Sequence, residues 1–283
     1  MVKISLFLEL AKPGIVVMVM LTAGAGFWLA GPELSPAIVL FHVLMGTVLV
    51  ASGANALNQV AERDADALMK RTRGRPLPAK RLSVASAGAF ASITGIVGIA
   101  YVGVFVNPLT AIIAAATLVS YAFVYTPLKK HTSVSTLIGA VPGALPIVGG
   151  WAAARGTLSG ETWILFWILF LWQLPHFLAL AWMYREDYAR GGFKMLSVGD
   201  SDGRLTFGHA TLYAAALLPV SLAPTIVGIA GTVYFVGALV LSSVFLYASY
   251  AAVRECTMER ARRVFKLSLA YLPALLILMG SGI

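Results

Sequence analysis

Nine apolar runs fill most of the chain, at about 13–31, 37–57, 84–105, 108–127, 134–154, 162–184, 207–229, 231–253 and 265–281. Each is close to the roughly 20 residues a helix needs to cross about 30 Å of hydrocarbon. Only 12% of residues are charged, where a soluble domain carries about 25%. Backbone polar groups in lipid must pair within their own segment, so spans of this kind are helical. The reading is an all-α, polytopic membrane protein with nine transmembrane helices in a single integral-membrane domain, 1–283. Its substantial polar loops would lie at about 58–82 and 185–206.

Basic residues orient such a chain, because cytoplasmic loops retain Lys and Arg. With nine spans, every Lys and Arg except Arg155 falls on the side of the N-terminus, beginning with Lys3 and Lys12. The N-terminus and long loops are therefore expected in the cytoplasm of a cell membrane, with the C-terminus outside. The outward loops supply only Glu33, Arg155 and Glu161. Orientation accounts for the net charge of +9, and nucleic acid is not an expected partner. A single cysteine, Cys256, excludes an intrachain disulfide framework and a multi-cysteine metal site. The start reads as neither a cleavable signal nor a transit peptide.

The charge that remains is concentrated in residues 52–82. Asn58, Glu62 and Asp66 recur every fourth residue, so a helix stacks them on one face, turning about 40° per step. Asp64 falls roughly 120° away. Three oxygen donors on one stripe suit Mg²⁺, which commonly bridges to a phosphate. The basic run Lys70, Arg71, Arg73 and Arg75 follows and could neutralise that phosphate. A solvated connector between two spans explains the same charges. No G-x-x-x-x-G-K-[ST] phosphate loop is present.

A second constellation surrounds Pro175-His176-Phe177. His176 and Asp187 are 11 residues apart, about three helical turns, and would share a face of one helix, with Glu186 displaced by roughly 80°. Pro175 is expected to loosen that helix. An intramembrane histidine usually meets a cavity or a partner; ligation of a haem iron, proton transfer and a hydrogen bond to another helix all stay open for His176. Lys129 and Lys130 end the fourth span, where they could reach a diphosphate or merely anchor the surface. His42 reads as a packed polar residue, and Gly139 and Gly143 as points of close helix approach.

Together these stretches resemble the UbiA-type intramembrane prenyltransferases, whose signature N-x-x-x-[DE]-x-x-x-D is met by Asn58, Glu62 and Asp66. Within that superfamily the chain is most similar to the branch that farnesylates haem. The similarity runs through Met69–Pro76, Thr132-Ser133, Gly143-Ala-Leu-Pro146, Gly150-Trp-Ala152, Phe170-Leu-Trp172, Pro175-His-Phe177, Asp187-Tyr188 and Met195-Leu196, and Lys12-Pro13 also fits. Lys194 and Ser197 stand where the family usually has proline, and Gln59 where Asp or Asn is common.

The resemblance implies a UbiA-type bundle and a Mg²⁺-dependent transfer of a farnesyl group from farnesyl diphosphate to a vinyl group of haem B, giving haem O. It assigns Asn58, Glu62, Asp66 and Asp187 to the metal and, with His176, to catalysis. Arg63, Lys70, Arg71, Arg75, Lys129 and Lys130 are assigned to the diphosphate, and His176 to the haem. It further implies contact with a haem A synthase or with terminal-oxidase assembly. A prenyltransferase acting on an aromatic, quinone-precursor or lipid acceptor shares the first motif but would carry an acid where His176 stands. A polytopic transporter is the alternative of another class; its ionisable residues would lie deep in the membrane.

Overall fold

The computed structural model describes residues 4–31 and 35–280; Lys3 and Glu33 lie outside them. Every regular element among the described residues is helical. Eight helices are long and apolar enough to cross a membrane, and a ninth span results if the bent pair α1 (Ile4–Ala11) and α2 (Pro13–Leu29) counts as one. Pro13 causes that bend of 51°. It follows Lys12, whose backbone takes the left-handed conformation (φ 56°), and a residue before proline is disfavoured in the right-handed helical region. The chain therefore turns at Lys12 and restarts with proline in the first turn of α2, where its missing N–H costs nothing.

Two compact units make up the chain, residues 1–158 with 189–193, and residues 159–188 with 194–283. The first unit holds α1, α2, α3 (Ala37–Leu68), α4 (Val84–Phe105), α5 (Pro108–Val119), a π-helical turn (Ser120–Tyr125), α6 (Thr126–Leu128) and α7 (Ser135–Arg155). Helix α7 is its inner member, with 67% of its most apolar window buried against 22% for α4. Glycine makes the crossing of α7 with α2 possible. A Cβ on Gly150 would come 1.9 Å from the Ala23 carbonyl oxygen, and one on Gly26 2.0 Å from that of Ile147. The second unit packs α8 (Gly160–Met183) and α10 (Leu196–Gly199) with α11 (Arg204–Ile226), and α8 with α13 (Met258–Gly280), with α12 (Thr232–Glu255) beside α11 and α13; only the first four residues of α9 (Arg185–Arg190) belong to it. Large apolar side chains such as Ile93, Ile96, Val104 and Ile277 remain exposed, as lipid-facing surfaces require.

The structure corrects several sequence expectations. The second span does not stop at residue 57: α3 continues without a break to Leu68, so the acidic stripe is its last three turns and not part of a loop. The segment that follows is not a solvated connector either. Met69, Thr72, Pro76, Leu77 and Leu82 are buried, and Leu77 and Leu82 pack with Leu10, Ala56, Ala87 and Ala91. Arg81 fastens it by donating to Glu9 and to the Gly74 carbonyl. Helix α8 likewise ends at Met183 and α9 starts only at Arg185, so His176 and Asp187 do not lie along one continuous helix. Pro175 does not interrupt α8.

Candidate active site

The end of α3 presents the stripe inward. Asn58, Glu62 and Asp66 are buried, at 2%, 5% and 0% exposure, whereas Asp64 is exposed and pairs with Arg63 at 2.8 Å. The 3.6-residue period thus separates Asp64 from the other two acids as expected. It also turns Arg63, expected at the diphosphate, away with Asp64.

Three cations reach the stripe from separate segments of the same unit. Arg75 donates Nη1 to Asp66 Oδ2 at 2.7 Å. Thr72 Oγ1 donates to the Asp66 carbonyl and so satisfies one of the acceptors left over at the end of α3, which fixes the turn that carries Arg75. Lys129 forms an ion pair with Glu62, with its ammonium 4.6 Å from the Tyr125 ring centre and 5.4 Å from that of Phe193. Burial alone would lower Lys129, but Tyr125 and Glu62 beside it raise its pKa on balance, so it stays charged. Lys12 Nζ lies 3.1 Å from Asn58 Oδ1.

The amides of α3 hold this arrangement. Asn55 and Gln59 donate to the carbonyls of Ala11 and Leu10 at 2.9 and 2.8 Å, pairing acceptors left free at the C-terminus of α1. That bond seats the break at Lys12 over Asn58. Asn58 also donates Nδ2 to Thr126 Oγ1 at 3.2 Å. The π-helical turn delivers this hydroxyl: both the backbone N–H and Oγ1 of Thr126 reach the Tyr121 carbonyl, five residues back. Gly139 lets the adjacent Tyr125 ring lie flat against α7, since a Cβ there would meet the ring at 2.5 Å. π turns of this kind recur at functional sites.

Of the expected diphosphate ligands, then, Arg75 and Lys129 join the stripe. Lys70, Arg71 and Lys130 have exposed side chains. Lys12 and Gln59 were not among the expected site residues, although polar side chains interrupting or flanking an apolar run were a signal that could have found them. Among the described residues no three His, Cys, Asp or Glu side chains form a ready metal cluster. The donors nevertheless fit Mg²⁺. They are all oxygens, and Asp66 Oδ1 and Gln59 Oε1 are buried acceptors with no hydrogen-bond partner. Mg²⁺ takes one or two carboxylates and completes its shell with water and phosphate.

Below the stripe, an apolar recess is lined by α2, α3, α4, α5 and α7, including Ala23, Val50, Ala54, Ile113, Thr117 and Gly150. Ala54 is one turn before Asn58 on α3. In the second unit His176 is half-buried. Its Nδ1 lies 2.7 Å from Ser268 Oγ, and its ring stacks with Trp172 and Phe265 at centre distances of 5.6 and 4.7 Å. Asp187 is buried and Glu186 exposed. His42 bonds Tyr101 at 2.7 Å, as a packed polar residue should.

The model of the UbiA prenyltransferase family matches residues 19–271. The chain belongs to that family. It is 46% identical to the protoheme IX farnesyltransferase of Solibacter usitatus (strain Ellin6076) over 96% of this chain and 97% of the relative. It is 45% identical to that of Salinibacter ruber (strain DSM 13855 / M31), over 96% of each. Among solved structures, a digeranylgeranylglyceryl phosphate synthase superposes with a TM-score of 0.83 at 20% identity, covering 100% of this chain and 99% of that one. A UbiA homologue from Archaeoglobus fulgidus bound to GPP and Mg²⁺ gives 0.70 at 12% identity, covering 97% and 99%. These likenesses carry the UbiA fold through both units.

Proposed function

We propose that this member of the UbiA family transfers the farnesyl group of farnesyl diphosphate to a vinyl group of haem B and yields haem O. The observation that carries the reading is the near-full-length likeness to protoheme IX farnesyltransferases at 46% identity. The buried acid stripe supplies the chemistry. The orientation that goes with it, from the distribution of Lys and Arg, is a site opening to the cytoplasm, an N-terminus on the same side and a C-terminus outside, in a cell membrane.

Glu62 and Asp66 would hold Mg²⁺, with Asn58 beside them. The bound metal would draw charge from the departing diphosphate. Lys129 and Arg75 rest on the two carboxylates and would neutralise the oxygens of a diphosphate bound beside them. Lys12 Nζ contributes a third hydrogen-bond donor beside Asn58. Transition-state stabilisation by groups already in place is usually the largest catalytic effect. The allylic C–O bond breaks with its electron pair on the diphosphate, and the π pair of the vinyl group forms the new C–C bond. Water then adds to the resulting cation and loses a proton, leaving the hydroxyethylfarnesyl substituent. The apolar recess below Asn58 takes the farnesyl tail and keeps water from the allylic cation. His176 ligates the haem iron.

Expression in a host that cannot make haem O, followed by haem extraction and mass spectrometry, tests the reading. Haem O should accumulate; its absence from cells whose membranes hold the intact protein would overturn the proposal.

A further inference from the structure

The hydrogen bonds around Ser268 do more than satisfy a buried histidine. Ser268 Oγ donates its hydrogen to the Phe265 carbonyl at 2.6 Å. With its hydrogen on that carbonyl, the oxygen meets His176 Nδ1, 2.7 Å away, as an acceptor. A neutral imidazole with its proton on Nδ1 has its lone pair on Nε2. The same residue is held a second time, since Trp172 Nε1 donates to the Ser268 backbone carbonyl at 2.8 Å. Trp172 and His176 are one turn apart on α8, so the pair grips a single residue of α13, and Ser268 is fully buried. With Trp172 and Phe265 stacked near-parallel to the imidazole, at 27° and 29°, the ring plane is fixed along with its protonation.

We propose that Ser268 is a positioning residue for the haem acceptor: it locks His176 in the Nδ1–H form, so that Nε2 is the nitrogen presented to the iron. Metal-ligating histidines nearly always donate their other ring N–H to an oxygen acceptor, and losing that acceptor commonly weakens metal binding about 10- to 100-fold. Here the acceptor is a hydroxyl whose own hydrogen is directed at the Phe265 carbonyl, which favours the proton on Nδ1 over Nε2. The inference rests on the reading of His176 as the iron ligand, and its test separates the two.

Haem B is titrated into the purified full-length wild type and into Ser268→Ala, Ser268→Thr and His176→Ala, following the Soret band, with farnesyl diphosphate binding measured in parallel. Ser268→Ala should weaken haem binding about 10-fold or more, Ser268→Thr should restore most of it, and farnesyl diphosphate affinity should hold in both. The Trp172 bond goes to the backbone and survives these changes. ¹⁵N-histidine spectra give a readout that simple packing would not move: the Nδ1–H signature of wild-type His176 should become a tautomer mixture in Ser268→Ala. Should Thr crowd this buried position, Ser268→Cys, with a weak sulfur acceptor, should fall between wild type and Ala. Wild-type haem affinity and tautomer in Ser268→Ala, with His176→Ala defective, would overturn the positioning role alone. A normal Soret band and affinity in His176→Ala would overturn the ligand reading and this inference with it. Equal losses of haem and farnesyl diphosphate binding in Ser268→Ala would mark a purely structural residue and also overturn the role.

Discussion

Arg75 Nη1 stands 2.7 Å from Asp66 Oδ2, so the carboxylate that ends the acid stripe is neutralised by a side chain from the turn it helps to cap. Asp66 is fully buried, and removing one partner of a buried pair leaves an uncompensated charge at a cost of about 3–5 kcal/mol. Arg75→Gln should therefore lower the melting temperature of the detergent-purified protein as well as its turnover. An unchanged melting temperature would mean that the pair is not needed for the fold.

The stripe separates the three acids of α3 into two that are buried and one that is exposed, and the proposed function uses only the buried two. Glu62→Gln and Asp66→Asn should each reduce farnesyl transfer about 100-fold or more, the loss typical when a group that stabilises developing charge is removed. Asp64→Asn, which only releases Arg63 at the surface, should leave the rate within about twofold, as surface changes usually do. Comparable losses at all three positions would contradict the assignment.

Much of this was legible in the sequence because helical periodicity is a local property. The run Asn58, Glu62, Asp66 fixes its own face once α3 is a helix, and the apolar runs give most spans within a few residues, missing the polar end of α3 and the polar start of α13. What the sequence concealed depends on contacts between distant segments. Lys12 is an ordinary basic residue until the Pro13 break and the Asn55 and Gln59 amides bring it to Asn58. Arg63 and Arg75 belong to one charge-rich stretch; helical phase turns Arg63 away, but only the turn that Thr72 fixes brings Arg75 back to Asp66. The phase argument that joined His176 to Asp187 failed because α8 stops at Met183, and hydropathy carries no mark of a break between two helical pieces.

Asp200 gives the second unit an acid-sensitive anchor. Burial pushes its carboxyl up, but the hydrogen bonds from Thr206 and Gly203 outweigh burial and hold it below the usual range. Both N–H donors belong to the start of α11. A depressed carboxylate contributes its full stability above its unfolded pKa, about 3.9, and loses it as pH falls through the lower folded value. Melting temperatures between pH 3 and 7 should thus fall on the acid side in wild type and less steeply in Asp200→Asn, which starts lower at neutral pH. Parallel curves would rule out Asp200 as the source.

The crossing of α2 with α7 has no room for a side chain at Gly150, where even a Cβ would overlap the Ala23 carbonyl. Overpacking of a close contact costs about 1–3 kcal/mol. Gly150→Val should reduce thermal stability by that order and narrow the apolar recess that Gly150 lines, raising the KM for farnesyl diphosphate. Gly160→Val, at a position with open space around it, is the control and should melt like wild type.

The most direct measurement combines the purified protein with farnesyl diphosphate, haem B and Mg²⁺ and quantifies both products. Haem O and diphosphate should appear in equal amounts, and both should vanish in Asp66→Asn. Haem B recovered unchanged, while a quinone precursor or lipid acceptor is prenylated under the same conditions, would contradict the account.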